Sequence, residues 1–205
     1  MPPRGNLLRA LVSCLSISFA AQAWGQSDPS LLAKLREGGY VLYMRHTSTD
    51  FSQNDTSSRS FEDCANQRNL TDKGRDEARA VGEHIKRLGI PVGTVLASPL
   101  CRTMETARLA FGKAQPMPAV RGGPARLDDP RRYEQLKELL STPVPKGANL
   151  VISSHGNPFH AVAGPPYLAE GEIAVVRPEG SGRFTIVAKI RLGDWSGLRG
   201  AGGPS

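Results

Sequence analysis

The chain has 205 residues, 39% hydrophobic and 22% charged, with a formal net charge of +7. That length and balance fit one globular domain whose core needs neither metal nor disulfide staples. The positive charge comes without a lysine-arginine block and with few aromatics, which argues against nucleic acid and leaves anionic small substrates, an anionic cell surface or a merely solvated basic surface.

Residues 1–23 read as a secretory signal peptide. Arg4 and Arg9 form a basic start, Ala10 to Ala23 carries no charge, and Ala21-Gln22-Ala23 is an A-x-A cleavage signal. Cleavage is expected after Ala23, with Gly25 as second choice; the apolar run is too short to span a membrane, and no later segment is a candidate span. The mature chain keeps a net charge of +5 after loss of Arg4 and Arg9, and is expected in the periplasm or outside the cell. Cys14 leaves with the leader. Cys64 and Cys101 remain, an even pair in an oxidising compartment, for which a disulfide and two separate buried thiols are both open.

The folded domain is expected over residues 27–195, with a flexible tail over 196–205. A short helix from Ser27 to Leu35 ends at Gly38-Gly39, and Tyr40 to Met44 is an apolar, β-prone strand. Residues 47–69 form a long polar loop holding Asp50, Gln53, Asp55, Arg59, Asp63 and Arg68. Thr71 caps a helix whose Ala78, Val81, Ile85 and Leu88 make one buried stripe. Gly93 to Ala97 reads as a strand, Leu100 to Phe111 as a helix and Met117 to Val120 as a weak strand. Tyr133 to Ser141 reads as a helix, Asn149 to Ser153 as a second apolar strand and Pro158 to Ala163 as a short helix. Ile173 to Val176 and Phe184 to Ile190 form a hairpin around Pro178 to Gly182. Strands alternating with helices predict an α/β three-layer sandwich, a mainly parallel central sheet with helices on both faces.

Three strand ends carry related chemistry. The first ends in Arg45-His46, the second leads through Ser98-Pro99 to Arg102, and the third ends in His155-Gly156-Asn157. Parallel strands put these ends on one edge, where two arginines and two histidines converge on a ligand position. Arg121, Arg126, Arg131 and Arg132 either line a pocket or solvate a loop; His84 reads as surface, and His160 as rim or core.

The pattern resembles the histidine phosphatase superfamily, the phosphoglycerate mutase-like proteins. Arg45-His46-Thr47 is similar to its Arg-His-Gly signature, Leu70-Thr71-x-x-Gly74 to its LTxxGxxQA helix start with Glu77 in place of Gln, Ala97 to Ala107 to SSPLxRxxQTA, and Ile152 to Gly156 to the VSHG box. Thr47 departs from the usual glycine. The resemblance implies a metal-independent, acid-type phosphatase without a cofactor. His46 would attack phosphorus, Arg45 and Arg102 would grip the phosphoryl oxygens, and a protonated His155 would stabilise the transition state. It leaves the proton donor to the leaving oxygen between Glu172, slightly favoured, and Asp128. Thr47, Asp50, Gln53 and Asn157 are candidate substrate contacts, and no metal-ligand spacing is present. The expected partner is a small phosphorylated molecule, with an envelope sugar phosphate as one source. A non-catalytic phosphate-binding module and a mutase are the alternatives; the 53 positions from Arg102 to His155 leave little room for the longer mutase segment.

Overall fold

The computed structural model describes residues 29–122 and 129–198. The segment expected to be a signal peptide and Asp128 lie outside the described residues. The elements in order are α1 (Pro29–Glu37), β1 (Val41–Arg45), α2 (Asp72–Arg87), β2 (Val92–Ala97), α3 (Cys101–Phe111), β3 (Gln115–Pro116), α4 (Glu134–Ser141), β4 (Asn149–Ser154), α5 (Gly156–Ala163), β5 (Ile173–Gly180) and β6 (Arg183–Ile190).

The strands form one sheet in the order β3-β2-β4-β1-β5-β6. The β3-β2-β4-β1 part is parallel, and the β5-β6 hairpin adds to the β1 edge antiparallel. Side chains on β1 alternate between two cores, as a strand buried on both faces requires. Leu42 and Met44 pack with Leu32 and Leu35 of α1, Val81 and Ile85 of α2 and Met104 of α3. Val41 and Tyr43 face the other way, toward Leu136 and Leu140 of α4 and Phe159 of α5. The result is the expected three layers.

The start of α2 sets the course of the chain after β1. Thr71 caps the helix by accepting from the Gly74 N–H at 3.0 Å, and its own N–H donates to the Ser48 carbonyl at 3.1 Å. A Cβ on Gly74 would stand 2.0 Å from the Ser48 oxygen. Glycine is therefore required by close approach of two backbones. On the same side, Glu77 accepts from the Ser48 N–H at 3.0 Å.

Two expectations are corrected. The weak strand at 117–120 is instead a 3-10 turn at Pro118–Arg121, preceded by the two-residue β3; proline at the turn's first position supplies no ladder donor. The tail does not begin at 196: Leu192–Gly197 is a 3-10 turn that brings Trp195 and Leu198 onto one side, and both join the α1/α2 core, Leu198 with 4% exposure.

The long loop at 47–69 is held by polar contacts. The buried Gln67 side chain donates to the Ser60 and Phe61 carbonyls and accepts from the Cys101 N–H, an otherwise unpaired donor at the start of α3. Cys64 and Cys101 are joined as a disulfide, with Cα atoms 5.7 Å apart.

Candidate active site

Arg45 lies opposite Ser154 in the β1–β4 ladder, and the His46 N–H donates to the Ser154 carbonyl at 2.9 Å. The Ser98 N–H donates to the Ser153 carbonyl at 2.9 Å. The carboxyl ends of β1, β4 and β2 therefore stop level. The rings of His46 and His155 sit 5.5 Å apart, close to edge-on. Both line a cavity of about 250 Å³ together with Arg45, Arg68, Arg102, Arg121 and Arg132. Tyr133, Asn157 and Tyr167 contribute to its wall, and among the described residues no carboxylate does. A larger groove of about 640 Å³ beside α4 contains Leu139, Val144 and Leu150 but neither histidine nor arginine.

His46 is 1% exposed. Its Nδ1 is 3.0 Å from the Thr47 carbonyl, which can only accept, so the proton belongs on Nδ1 and Nε2 keeps its lone pair. Burial, reinforced by Arg102, Arg45 and Arg68 against the Thr47 hydrogen bond, lowers its pKa to about 3. Burial first, then Arg102, His46, Arg121 and Arg68, also hold the His155 pKa well below the usual histidine range. Burial and the neighbouring cations thus disfavour the charged ring, so the protonated His155 that the resemblance implies needs an anion beside it to offset them. Its Nε2 is 2.8 Å from Ser98 Oγ, and its carbonyl accepts from the Tyr43 hydroxyl at 2.8 Å.

Arg45 donates through Nη1 to the Leu168 carbonyl at 2.7 Å, places Nη2 3.5 Å from Glu170 and lies over the Tyr167 ring, 5.2 Å from its centre. Arg102, 5% exposed, forms a two-pronged pair with Asp55, at 2.9 and 3.0 Å. The Nε atoms of Arg45, Arg68 and Arg102 are buried without a hydrogen-bond partner. Unpaired donors in a cationic cavity are what an incoming oxyanion satisfies.

A family model described as the histidine phosphatase superfamily, branch 1, matches residues 41–122. These residues carry Arg45, His46 and Arg102, while His155 comes from β4 beyond the matched stretch. Solved structures share the fold over most of the chain. The protein histidine phosphatase SixA bound to tungstate is 22% identical, with a TM-score of 0.52, and the match covers 76% of this chain and 98% of that one. A putative α-ribazole-5′-phosphate phosphatase from Escherichia coli K-12 is 16% identical with a TM-score of 0.55, covering 74% and 96%. A mycobacterial glucosyl-3-phosphoglycerate phosphatase is 15% identical with a TM-score of 0.53, covering 73% and 97%. No curated protein matches the chain in sequence.

Around the histidine phosphatase signature, other predicted contacts lie apart from the cavity wall. Thr47, in the glycine position, is fully buried and turns to Thr106 of α3, with Oγ1 to Oγ1 at 3.3 Å. Asp50 accepts from Ser52, and Gln53 from the Asn69 N–H, both within the loop. Asn157 does line the cavity and accepts from the Tyr167 hydroxyl at 2.7 Å. Glu172, the favoured acid, turns away: its carboxylate accepts from the Ala169 N–H at 2.7 Å and lies 3.5 Å from Arg191. Closing that turn, rather than donating a proton, is the work its position supports. Glu170, unnamed by sequence reasoning, accepts from Thr49 and stands 3.8 Å from His46 Nδ1. Tyr167 was missed as well; it packs so closely on the start of α5 that a Cβ at Gly156 would be 2.1 Å from its ring. Among the described residues no cluster of three or more His, Cys, Asp or Glu is arranged to hold a metal.

Proposed function

We propose that the protein is an exported, metal-independent, acid-type phosphatase that hydrolyses phosphomonoesters through a phosphohistidine on His46. One observation carries this reading: the His46 imidazole, its Nδ1 committed to the Thr47 carbonyl and its Nε2 left free to act as nucleophile, lines a cavity walled by five guanidinium groups. The arginines hold the dianionic phosphoryl group and spread its charge during transfer. His46 Nε2 forms the N–P bond as the ester P–O bond breaks, and the leaving oxygen takes up a proton from solvent water. Water then cleaves the phosphohistidine and releases inorganic phosphate. His155 donates to a phosphoryl oxygen, and the incoming dianion itself favours its protonation, against the burial and the arginine charges that oppose it.

The substrate in this reading is a small phosphorylated molecule of the cell envelope, a sugar phosphate foremost. Arg68, Arg121 and Arg132 exceed the two arginines of the signature motifs and suit a strongly anionic ligand. A structural relative is described as a phosphatase of a phosphorylated glucosyl compound.

The test uses purified mature protein with p-nitrophenyl phosphate in excess EDTA, followed by a panel of sugar phosphates, phosphopeptides and nucleotides. Turnover in EDTA is expected, as is its loss in His46→Ala with tungstate binding retained. Activity that needs added metal, or survives His46→Ala, overturns the mechanism. A wild type that binds tungstate yet hydrolyses nothing on the panel is a phosphate-binding module.

A further inference from the structure

Arg102 is the most confined of the five guanidinium groups, and its donors can be counted. A guanidinium carries five N–H bonds in one plane. Nη1 spends both of its hydrogens, one on Asp55 Oδ1 at 2.9 Å and one on the Arg68 carbonyl at 3.2 Å. Nη2 spends one on Asp55 Oδ2 at 3.0 Å. Two N–H bonds remain, the second on Nη2 and the one on Nε, which is buried without a partner. In a planar guanidinium these two point the same way, along the side edge, and match two oxygens of a tetrahedral oxyanion. Arg102 belongs to the cavity wall and Asp55 stands outside it, so the carboxylate grips the far end of the group.

We propose that Asp55 is the positioning residue that turns the side edge of Arg102 toward the phosphoryl group. Three features single it out for this work. Its carboxylate is anchored independently, accepting from the Arg68 N–H at 2.9 Å. It is ionised at neutral pH: partial burial alone would raise its pKa, but the hydrogen bonds from Arg102 and the Arg68 N–H, with both positive charges, bring it below the usual carboxylate value. It also offsets a cation buried at the start of α3, where the helix dipole is unfavourable to positive charge. Without Asp55 the Arg102 side chain has two further donors to place elsewhere, and the cavity offers the incoming phosphate as their acceptor in no fixed orientation. The cost then falls on the aligned geometry that phosphoryl transfer needs.

The inference rests on the phosphatase reading, and the experiment separates the two. Asp55→Ala, Asp55→Asn, Arg102→Ala and the double variant Asp55→Ala/Arg102→Ala are compared with wild type in kcat/KM for p-nitrophenyl phosphate and in tungstate affinity. Asp55→Ala is expected to lower kcat/KM by about 10- to 100-fold, with Asp55→Asn, which keeps one acceptor, in between. The deciding readout is coupling. In the Arg102→Ala background, Asp55→Ala should change kcat/KM and tungstate affinity by less than about twofold, because the group it positions is gone. A loss of equal size in both backgrounds marks a general loop effect and overturns the proposal, as does an unchanged single variant. If Asp55→Ala does not fold, Asp55→Asn with and without Arg102→Ala carries the same comparison. A wild type that neither hydrolyses the ester nor binds tungstate overturns the phosphatase reading and this inference with it.

Discussion

His46 sits in the field of three guanidinium groups with its ring almost wholly withdrawn from water, and both effects disfavour its proton. The consequence for catalysis is a nucleophile that stays available in acid. The limb of kcat/KM that reports protonation of the free enzyme's His46 should lie near pH 3, not near 6.5, and a profile measured with an ester of low leaving-group pKa checks this. The consequence for stability has a definite sign. The unfolded chain takes up protons on His46 and His155 below about pH 6.5 while the folded chain does not, so stability present above that pH is lost as pH falls toward the folded values. Thermal unfolding followed between pH 7 and 4 should show the midpoint falling, less steeply in His46→Gln. That Arg45, His46, Arg102 and His155 meet at one cavity was legible in the sequence, because three of them adjoin the end of an apolar strand and Arg102 lies in the first turn of the helix that follows one. Asp55 was not: its partner is 47 positions away, and nothing in a polar loop marks one carboxylate above its neighbours. Glu172 misled for a related reason, since a place at the start of a strand fixes where the backbone goes, while the side chain followed the nearest free N–H, that of Ala169.

The segment between β1 and α2 shows what holds a long loop without a core of its own. Gln67 threads three backbone groups, the disulfide ties the loop to α3, and Asp55 reaches the second residue of that helix. Replacing both cysteines by serine removes a bridge across 37 positions, and by chain entropy this should cost about 3–4 kcal/mol of stability. Denaturant unfolding of the double variant against the oxidised wild type measures it, and alkylation of unreduced protein should find no free thiol. The periodic elements, α2 above all, could be read from apolar spacing alone. The pairing of Cys64 with Cys101 could not, because even cysteine count limits the choices without bringing two atoms together. The short turn at Leu192–Gly197 escaped for the opposite reason: its composition is that of a tail, and only Trp195 and Leu198 hint that it is anchored.

For the molecule as a whole, alternation of strand and helix sufficed to predict the layers, since each buried strand can be covered on both faces only by such crossovers. The proposed export rests on residues 1–23. Protein recovered from the periplasm or medium of an expressing cell should begin at Trp24 on amino-terminal sequencing, and a chain still beginning at Met1 refutes the leader. The ladder that joins β1 to β4 and β5 has a further consequence. It works as a ruler with fixed divisions. β1 cannot creep along its neighbours by a fraction of a residue; a slip by one residue moves its end by about 3.3 Å and exchanges the two cores. Leu42 and Met44 would then face α4, Val41 and Tyr43 would face α1, and Arg45 and His46 would trade sides of the sheet. The reach of the nucleophile is thus graduated by packing on both flanks of a five-residue strand. Insertions tolerated in the loop after His46 should have no counterpart between Val41 and Arg45.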